Sequence, residues 1–207
     1  MSNILLVTSS PRGPASYSTR VANALVDRLR AEDPGASIVA RDLARDPLPH
    51  IGEAFVAGLF APAETRTEAQ RAEVARSDAL VAELLAADTV VIASAMINFA
   101  PTSTLKTWFD HIARAGVTFR YTAEGVAEGL VTGKKVYLVE SRGGVYSEGP
   151  GKVIDFQEPY IRHMLGFLGM SNVEVVSVEG TLLGPEIAEK ALSGALARAS
   201  GVLAEAA

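Results

Sequence analysis

The sequence predicts an α/β protein: a three-layer sandwich whose five-stranded parallel sheet lies between helices on both faces. Short runs rich in Val, Ile and Leu are typical of strands buried on both sides. Between these runs, apolar residues recur with helical spacing, and such alternation of strand and helix indicates an open parallel sheet. The 207 residues suffice for a full hydrophobic core, so we expect one domain over residues 1–207.

Four apolar runs are predicted as strands, and Ser37–Arg41 is a weaker fifth candidate. The four runs are Ile4–Thr8, Thr89–Ser94, Lys135–Glu140 and Val173–Val178. Three apolar stripes predict amphipathic helices that pack on the sheet. These stripes are formed by Val21, Leu25, Val26 and Leu29, by Val74, Val81, Leu84 and Leu85, and by Ile187, Ala191, Leu192 and Ala195.

Two segments interrupt the alternation, at about residues 43–64 and 117–130. The first is rich in proline and is expected to be an irregular excursion, whereas the second predicts a hairpin-like excursion before the fourth strand. Segments of this length usually have a function or shape an interface. Their apolar residues suit either a dimer contact and substrate wall or ordinary packing under loops. The residues concerned are Phe55, Leu59, Phe60, Phe119 and Tyr121.

Composition excludes several classes of function. The net charge is −5 and no basic stripe exists, so we expect no nucleic-acid partner. The chain has no cysteine, which excludes disulfides, thiol catalysis and iron–sulfur clusters. Its longest apolar stretch, residues 89–101, is shorter than the ~20 residues of a membrane span. We therefore expect a soluble, cytoplasmic protein without a membrane partner.

A hydroxyl-rich loop joins the first predicted strand to the first helix. It carries Ser9, Ser10, Ser16, Tyr17 and Ser18. A helix N-terminus offers unpaired N–H groups and partial positive charge, which suit a phosphate. The loop contains neither the Gly-rich dinucleotide fingerprint nor a P-loop, so it favours a terminal phosphate such as that of FMN. The alternative is that Ser16 or Ser18 merely caps the helix.

Two further loops are predicted at the same edge. In a parallel sheet of order 2-1-3-4-5, the loops after strands one, three and four surround one crevice. Met96–Phe99 follows the third strand and offers apolar surface and amide groups to a flat ring, and Ser141–Gly144 follows the fourth. Taken singly, each feature has an ordinary explanation: Met96 as a core residue, Gly143 and Gly144 as a plain turn, and Arg142 as a solvated charge. Together, the three loops predict a flavin site.

These loops, together with the long stretch Leu105–Thr122, resemble the FMN-dependent NADH:azoreductases, which have a flavodoxin-like fold and are relatives of the NAD(P)H:quinone oxidoreductases. The resemblance covers essentially the whole chain. It implies FMN phosphate contacts at Ser10, Ser16, Tyr17 and Ser18. It implies ring and ribityl contacts at Met96, Ile97, Asn98 and Phe99, and at Ser141, Arg142, Gly143 and Gly144.

The resemblance also implies an activity: ping-pong transfer of electrons from NADH or NADPH to a quinone or to an azo compound, whose bond is cleaved to aromatic amines. It implies a homodimer with both active sites at the subunit interface. The chain departs from the family at Ala95 and Ile97, where the family commonly has Pro and Tyr, and this changes the aromatic surface near the ring. A one-electron carrier and a non-enzymatic FMN- or redox-sensing module are the alternatives.

No side chain is predicted to be an obligatory catalytic residue, because hydride would pass between nicotinamide and flavin N5. No metal site is predicted, since His50, His111 and His163 lack metal-ligand spacing. His111 is interpreted as structural. Asp155 and Gln157 are possible pocket residues near the fourth-strand loop, although a solvated helix start also explains Asp155.

Overall fold

The computed structural model describes residues 1–201. Its strands are β1 (Asn3–Thr8), β2 (Ser37–Asp42), β3 (Thr89–Ala95), β4 (Phe119–Tyr121), β5 (Ala127–Gly129), β6 (Lys135–Ser141) and β7 (Val173–Val178). Its α-helices are α1 (Tyr17–Glu32), α2 (Glu53–Phe60), α3 (Glu68–Ala86), α4 (Ser103–Ile112), α5 (Glu158–Leu168) and α6 (Pro185–Gly201).

The central sheet has the order β2-β1-β3-β6-β7, and every neighbouring pair is parallel. This confirms the predicted order 2-1-3-4-5, because β4 and β5 form a separate antiparallel hairpin. Each sheet strand matches its predicted run to within one residue at either end. The carboxyl ends of β1, β3 and β6 therefore lie side by side, as the predicted crevice requires.

Both faces of the sheet are covered, which explains why its strands are apolar without alternation. Leu5 and Val7 pack with α3, α4 and α5 on one face. Ile4 and Leu6 pack with α1 and α6 on the other. The predicted helix stripes face these two cores, except at their margins: Leu85 and Ile187 are 45% and 47% exposed. Helices α3 and α6 therefore bury a narrower face than their predicted stripes, whereas the α1 stripe packs into the core along its whole length.

The two excursions fold differently from each other. The hairpin predicted in the second is confirmed by β4 and β5, which pair Phe119 with Gly129. The first contains the helix α2, whose buried Phe55 meets the ring of His111 edge-on at 5.2 Å. The sequence analysis treated this segment as irregular, because its flanking prolines obscured a helix of only eight residues.

For helix α5 only a helix start near Asp155 was considered and no apolar stripe was predicted, although Ile161, Leu165 and Leu168 recur at helical spacing and are all buried. Within residues 1–201, no helix has both the length and the apolar character needed to cross a bilayer.

Candidate active site

The first predicted loop wraps around the N-terminus of α1. Ser10 and Ser16 are each 2% exposed, and Ser16 occupies the N-cap position. Its hydroxyl makes no capping hydrogen bond and instead pairs with the Ser18 hydroxyl at 3.1 Å. The alternative that these serines merely cap the helix is therefore wrong. The first turn of α1 also has no acidic residue, so its N–H groups and partial positive charge remain available to an anion.

A cavity of about 200 Å³ lies between the three predicted loops. Eight of the twelve predicted contact residues line it: Ser10, Ser16, Tyr17, Met96, Ile97, Ser141, Arg142 and Gly143. Ser18, Asn98, Phe99 and Gly144 do not border it. The cavity is also lined by Pro11, Arg12, Ala95, Thr181 and Leu182, which were not predicted as site residues.

Thr181 and Leu182 belong to the loop after β7. This loop was not predicted to line the site, because the predicted crevice lies between the loops after the first, third and fourth strands of the sheet. The Thr181 hydroxyl and N–H both donate to the Arg142 carbonyl, at 3.0 and 3.1 Å. The Leu182 N–H donates to the Gly143 carbonyl at 3.0 Å. These hydrogen bonds join the loops after β6 and β7. Thr181, a hydroxyl-bearing residue shortly after the end of β7, was the sequence signal that could have shown that this loop borders the cavity.

The loop after β3 makes a tight turn between Ile97 and Ala100, whose N–H and carbonyl groups pair reciprocally at 2.9 and 3.1 Å. Asn98 and Phe99 both have positive φ, 47° and 70°, as a type I′ turn requires. Left-handed backbone is costly for residues with a Cβ, and least so for Asn or Asp. The Met96 N–H donates to the Ser141 carbonyl at 2.9 Å, which joins this turn to the third loop.

The turn conformation leads to a prediction for Asn98. Asn98→Val is expected to destabilise the protein by about 1–2 kcal/mol, because a β-branched side chain opposes left-handed backbone. Asn98→Gly is expected to be nearly neutral, since glycine accepts this φ. Urea unfolding of both variants would measure the difference, and equal stability of the two would contradict the role of the turn.

The interpretation of Arg142 as a solvated charge is wrong, because its side chain is completely buried. Its guanidinium is held by five side chains from three regions of the chain. These are Glu140 at 2.6 Å, Asp155, Gln157 and Glu179 each at 3.1 Å, and Glu158 at 3.4 Å. We call Arg142 and these five residues the Arg142 cluster. The guanidinium is therefore turned away from solvent.

The Arg142 cluster contains four carboxyl groups and one guanidinium. Burial raises the pKa of Glu140 to about 8, although the nearby Arg142 acts in the opposite direction. The Glu140 Oε1 atom has no hydrogen-bond partner within residues 1–201. Burial would also raise the pKa of Glu179, but hydrogen bonds from Ser147, Tyr146 and Arg142 hold it below its usual range. Glu140 is thus the carboxyl that holds a proton at neutral pH.

Asp155 and Gln157 do not line the cavity but join the Arg142 cluster behind it. Asp155 Oδ1 accepts the N–H groups of Gln157 and Glu158, at 2.8 and 3.3 Å, at the start of α5. Its side chain is only 8% exposed, so the solvated-start explanation is wrong. His111 is buried and its Nε2 pairs with the Pro49 carbonyl at 2.9 Å, which is a structural role as interpreted.

Two larger cavities continue from the first. One of about 330 Å³ shares Pro11 and Ile97 with it. The next, of about 600 Å³, shares Ser103 with the second and is walled mainly by apolar groups between α4 and α5, including Phe156 and Tyr160. The cavity at the α1 N-terminus therefore continues through a more polar cavity beside Ser9 and Thr102 into a strongly apolar one between α4 and α5.

This arrangement fits FMN. A terminal phosphate fits the α1 N-terminus, with the buried hydroxyls of Ser10 and Ser16 and the guanidine group of Arg12 nearby. A flat ring fits the apolar surface of Met96 and Ile97 beyond it.

Comparison with known proteins assigns the family. A family model described as "Flavodoxin-like fold" matches residues 2–203. The chain belongs to this flavodoxin-like family. Among its relatives, an FMN-dependent NADH:quinone oxidoreductase 1 from Rhizobium etli is 53% identical over 96% of both chains. An FMN-dependent NADH:quinone oxidoreductase from Mesorhizobium japonicum is 50% identical over 98% of this chain and 96% of its own. The crystal structure of a Bacillus anthracis azoreductase superposes on this flavodoxin-like chain with a TM-score of 0.90, at 33% identity and 98% coverage of both.

Proposed function

We propose that this protein is an FMN-dependent oxidoreductase that transfers electrons from NADH or NADPH to quinones, azo compounds or both. The observation that carries this proposal is the cavity where the α1 N-terminus meets the loops after β3 and β6. Relatives that align over nearly their whole length are named FMN-dependent NADH:quinone oxidoreductases, and a structural neighbour is an azoreductase. These names support both halves of the activity.

The side chains of this protein would bind and orient the reactants. The α1 N-terminus, Ser10 and Ser16 hold the phosphate, while Met96 and Ile97 support one face of the ring. N–H groups of the Ser141–Gly144 loop near the ring carbonyls would stabilise negative charge there. When bound, FMN would supply the redox chemistry, taking hydride from the nicotinamide and passing two electrons to the acceptor in each cycle, so that a quinone takes one cycle and cleavage of an azo bond to two amines takes two. Ile97 is 44% exposed and is placed to contact an acceptor.

The purified protein tests this proposal directly. We expect the yellow colour of oxidised FMN, anaerobic bleaching by NADH, and recovery of the colour when benzoquinone or methyl red is added. Initial rates at several acceptor concentrations should give the parallel double-reciprocal lines of a ping-pong mechanism. A protein that cannot be reconstituted with FMN would contradict the proposal. Bound FMN without NADH oxidation by any acceptor would indicate a carrier or a sensing module instead.

We further propose that a second copy of the chain covers the apolar face beside the cavities. Phe156 and Phe99 are 59% and 45% exposed on this face, and the Phe156 N–H donates to the Phe99 carbonyl at 2.9 Å. The face is continuous with the site, because the cavity lined by Phe156 and Tyr160 adjoins the cavity beside Ile97. A partner there would close the site from water. Other candidates differ: Phe55 is buried in the core, and Phe119 packs on Phe167.

The dimer can be tested with one pair of variants. Phe156→Glu is expected to shift the protein from dimer to monomer in light scattering, because it places a charge on the apolar contact. Phe60→Glu is the matched control, since Phe60 is 85% exposed and lies elsewhere, on α2. A wild-type monomer, or a Phe60→Glu monomer with an intact Phe156→Glu dimer, would contradict the proposed face.

Two further proposals follow from the composition and the cofactors. We place the reaction in the cytoplasm, where reduced nicotinamide is supplied. We propose that the chain forms one FMN-binding domain. We also propose that it has no nucleic-acid partner, because its net charge is −5.

A further inference from the structure

Gln157, at the N-terminus of α5, connects the ends of two strands that carry the site. Its Nε2 donates to the Ser94 carbonyl at 3.1 Å and pairs with the Ser94 hydroxyl at 2.9 Å. Its Oε1 accepts from Arg142 Nε at 3.1 Å. Ser94 lies two residues before Met96 on β3, and Arg142 follows β6 directly. One fully buried amide therefore joins the end of β3 to the first residue of the loop after β6.

Arg142 extends this connection to the loop after β7. Its Nη1 donates to Glu179 Oε1 at 3.1 Å. The same oxygen accepts the N–H groups of Tyr146 and Ser147, at 2.8 and 3.0 Å, and so holds the far end of the third loop. The guanidinium thus holds this loop from behind, on the side away from the cavity.

A positioning role accounts for this arrangement within the proposed function. The sheet would hold the strands without these side chains, because β3 and β6 are paired along seven residues. What the strand pairing does not hold is the loop beyond Ser141, where the strand ends and the cavity begins. The Arg142 cluster lies at that place, and its hydrogen bonds join the ends of β3 and β6 to the start of α5 and to Glu179 in the loop after β7.

We propose that Arg142 and Gln157 are positioning residues, which hold the Ser141–Gly144 loop at the place where it receives FMN. This inference rests on the proposed function. The Arg142 side chain is fully buried and Gln157 does not line the cavity, so both act on the site through the loop. Their hydrogen bonds would hold in place the loop backbone that lines the cavity, and a site whose supporting residues are lost binds less tightly.

The test compares Gln157→Met, which disrupts the Arg142 cluster, with Arg114→Met, which disrupts a second buried polar network away from the cavity. Gln157→Met keeps the side-chain length but removes both hydrogen-bonding ends. Arg114 is 9% exposed, pairs with Asp78 at 2.9 Å and Ser77 at 2.6 Å, and lies outside the cavity. Arg114→Met therefore removes a comparable buried polar network. Both variants, and Arg142→Lys, are freed of FMN, and thermal unfolding and FMN titration by fluorescence quenching are then measured.

We expect Gln157→Met to raise the dissociation constant of FMN about tenfold or more, and to shift the flavin absorption band of the bound form. Arg114→Met should lower the melting temperature but leave the dissociation constant within about twofold. Arg142→Lys retains the charge without the planar fork and should weaken FMN as Gln157→Met does.

Two outcomes overturn the inference alone: Gln157→Met that binds FMN like wild type, or Arg114→Met that weakens FMN equally. A wild-type protein that binds no FMN would overturn the proposed function as well, so the two failures are distinguishable.

Discussion

Ser16→Asp is expected to weaken FMN binding by about a hundred- to a thousandfold, which corresponds to about 3–4 kcal/mol of charge repulsion at close range in a partly screened site. Ser16 is 2% exposed, borders the cavity and stands at the N-terminus of α1. A carboxylate at this place would face the phosphate that we assign to the same N–H groups. Titration of the apo protein with FMN measures the effect directly.

We expect Ser16→Asp to leave the stability of the apo protein unchanged or higher, so that a loss of FMN affinity can be assigned to the site and not to unfolding. Aspartate is a preferred N-cap residue and interacts favourably with a helix N-terminus, so the apo variant should be as stable as wild type or more so. Ser16→Asn is the matched neutral control, with similar volume and capping ability. Unchanged FMN affinity in Ser16→Asp, or an equal loss in Ser16→Asn, would contradict the phosphate assignment.

Glu140→Gln is expected to flatten the dependence of stability on pH. The native carboxyl has a pKa of about 8 against an ordinary value of 4.5, so between these values the native state holds a proton that the unfolded state has lost. Its contribution to stability is therefore fully present below about pH 4.5 and is lost as the pH rises to about 8, by up to about 1.4 kcal/mol per pH unit. Glutamine resembles the protonated form and removes this loss.

Urea unfolding at intervals between pH 5 and 9 would measure this difference. Glu128→Gln is the control, because Glu128 is exposed and its pKa is lowered by the neighbouring Arg120, so its titration lies below this range. Parallel stability curves for wild type and Glu140→Gln would contradict a protonated Glu140. If the unfolding free energy of Glu140→Gln fell more steeply with pH than that of wild type, the native carboxyl would have a lowered pKa and not a raised one.

Most of the candidate site could be predicted from the sequence because its loops follow directly from local features. A buried parallel strand ends where its apolar run ends, and ligands bind beyond such ends. Locating Ser10, Met96 and Ser141 at three strand ends was therefore enough to expect them in one crevice, and all three line one cavity. The first excursion was harder to predict, since α2 depends on contacts such as that of Phe55 with His111, which is distant in sequence.

Arg142 shows where prediction from local sequence stops. Next to a glycine pair after a strand, an arginine has the pattern of a solvated charge. Its burial became visible only with Glu140, Gln157 and Glu179 in place around it. The loop after β7 was missed for a related reason: Thr181 reaches the site through hydrogen bonds to the neighbouring loop rather than through its own strand position.

The sequence by itself determined the strands of the sheet, their order and the loops that line the candidate site, because each of these follows from a contiguous apolar run and the residues just after it. Only the tertiary structure decided which side chains face the cavity and which support it from behind. Whether a charge such as Arg142 meets solvent, a ligand or four carboxyl groups depends on residues up to 37 positions away in the chain. A local sequence pattern does not show which distant residues will become neighbours of Arg142, whereas the folded sheet brings those residues together at one edge.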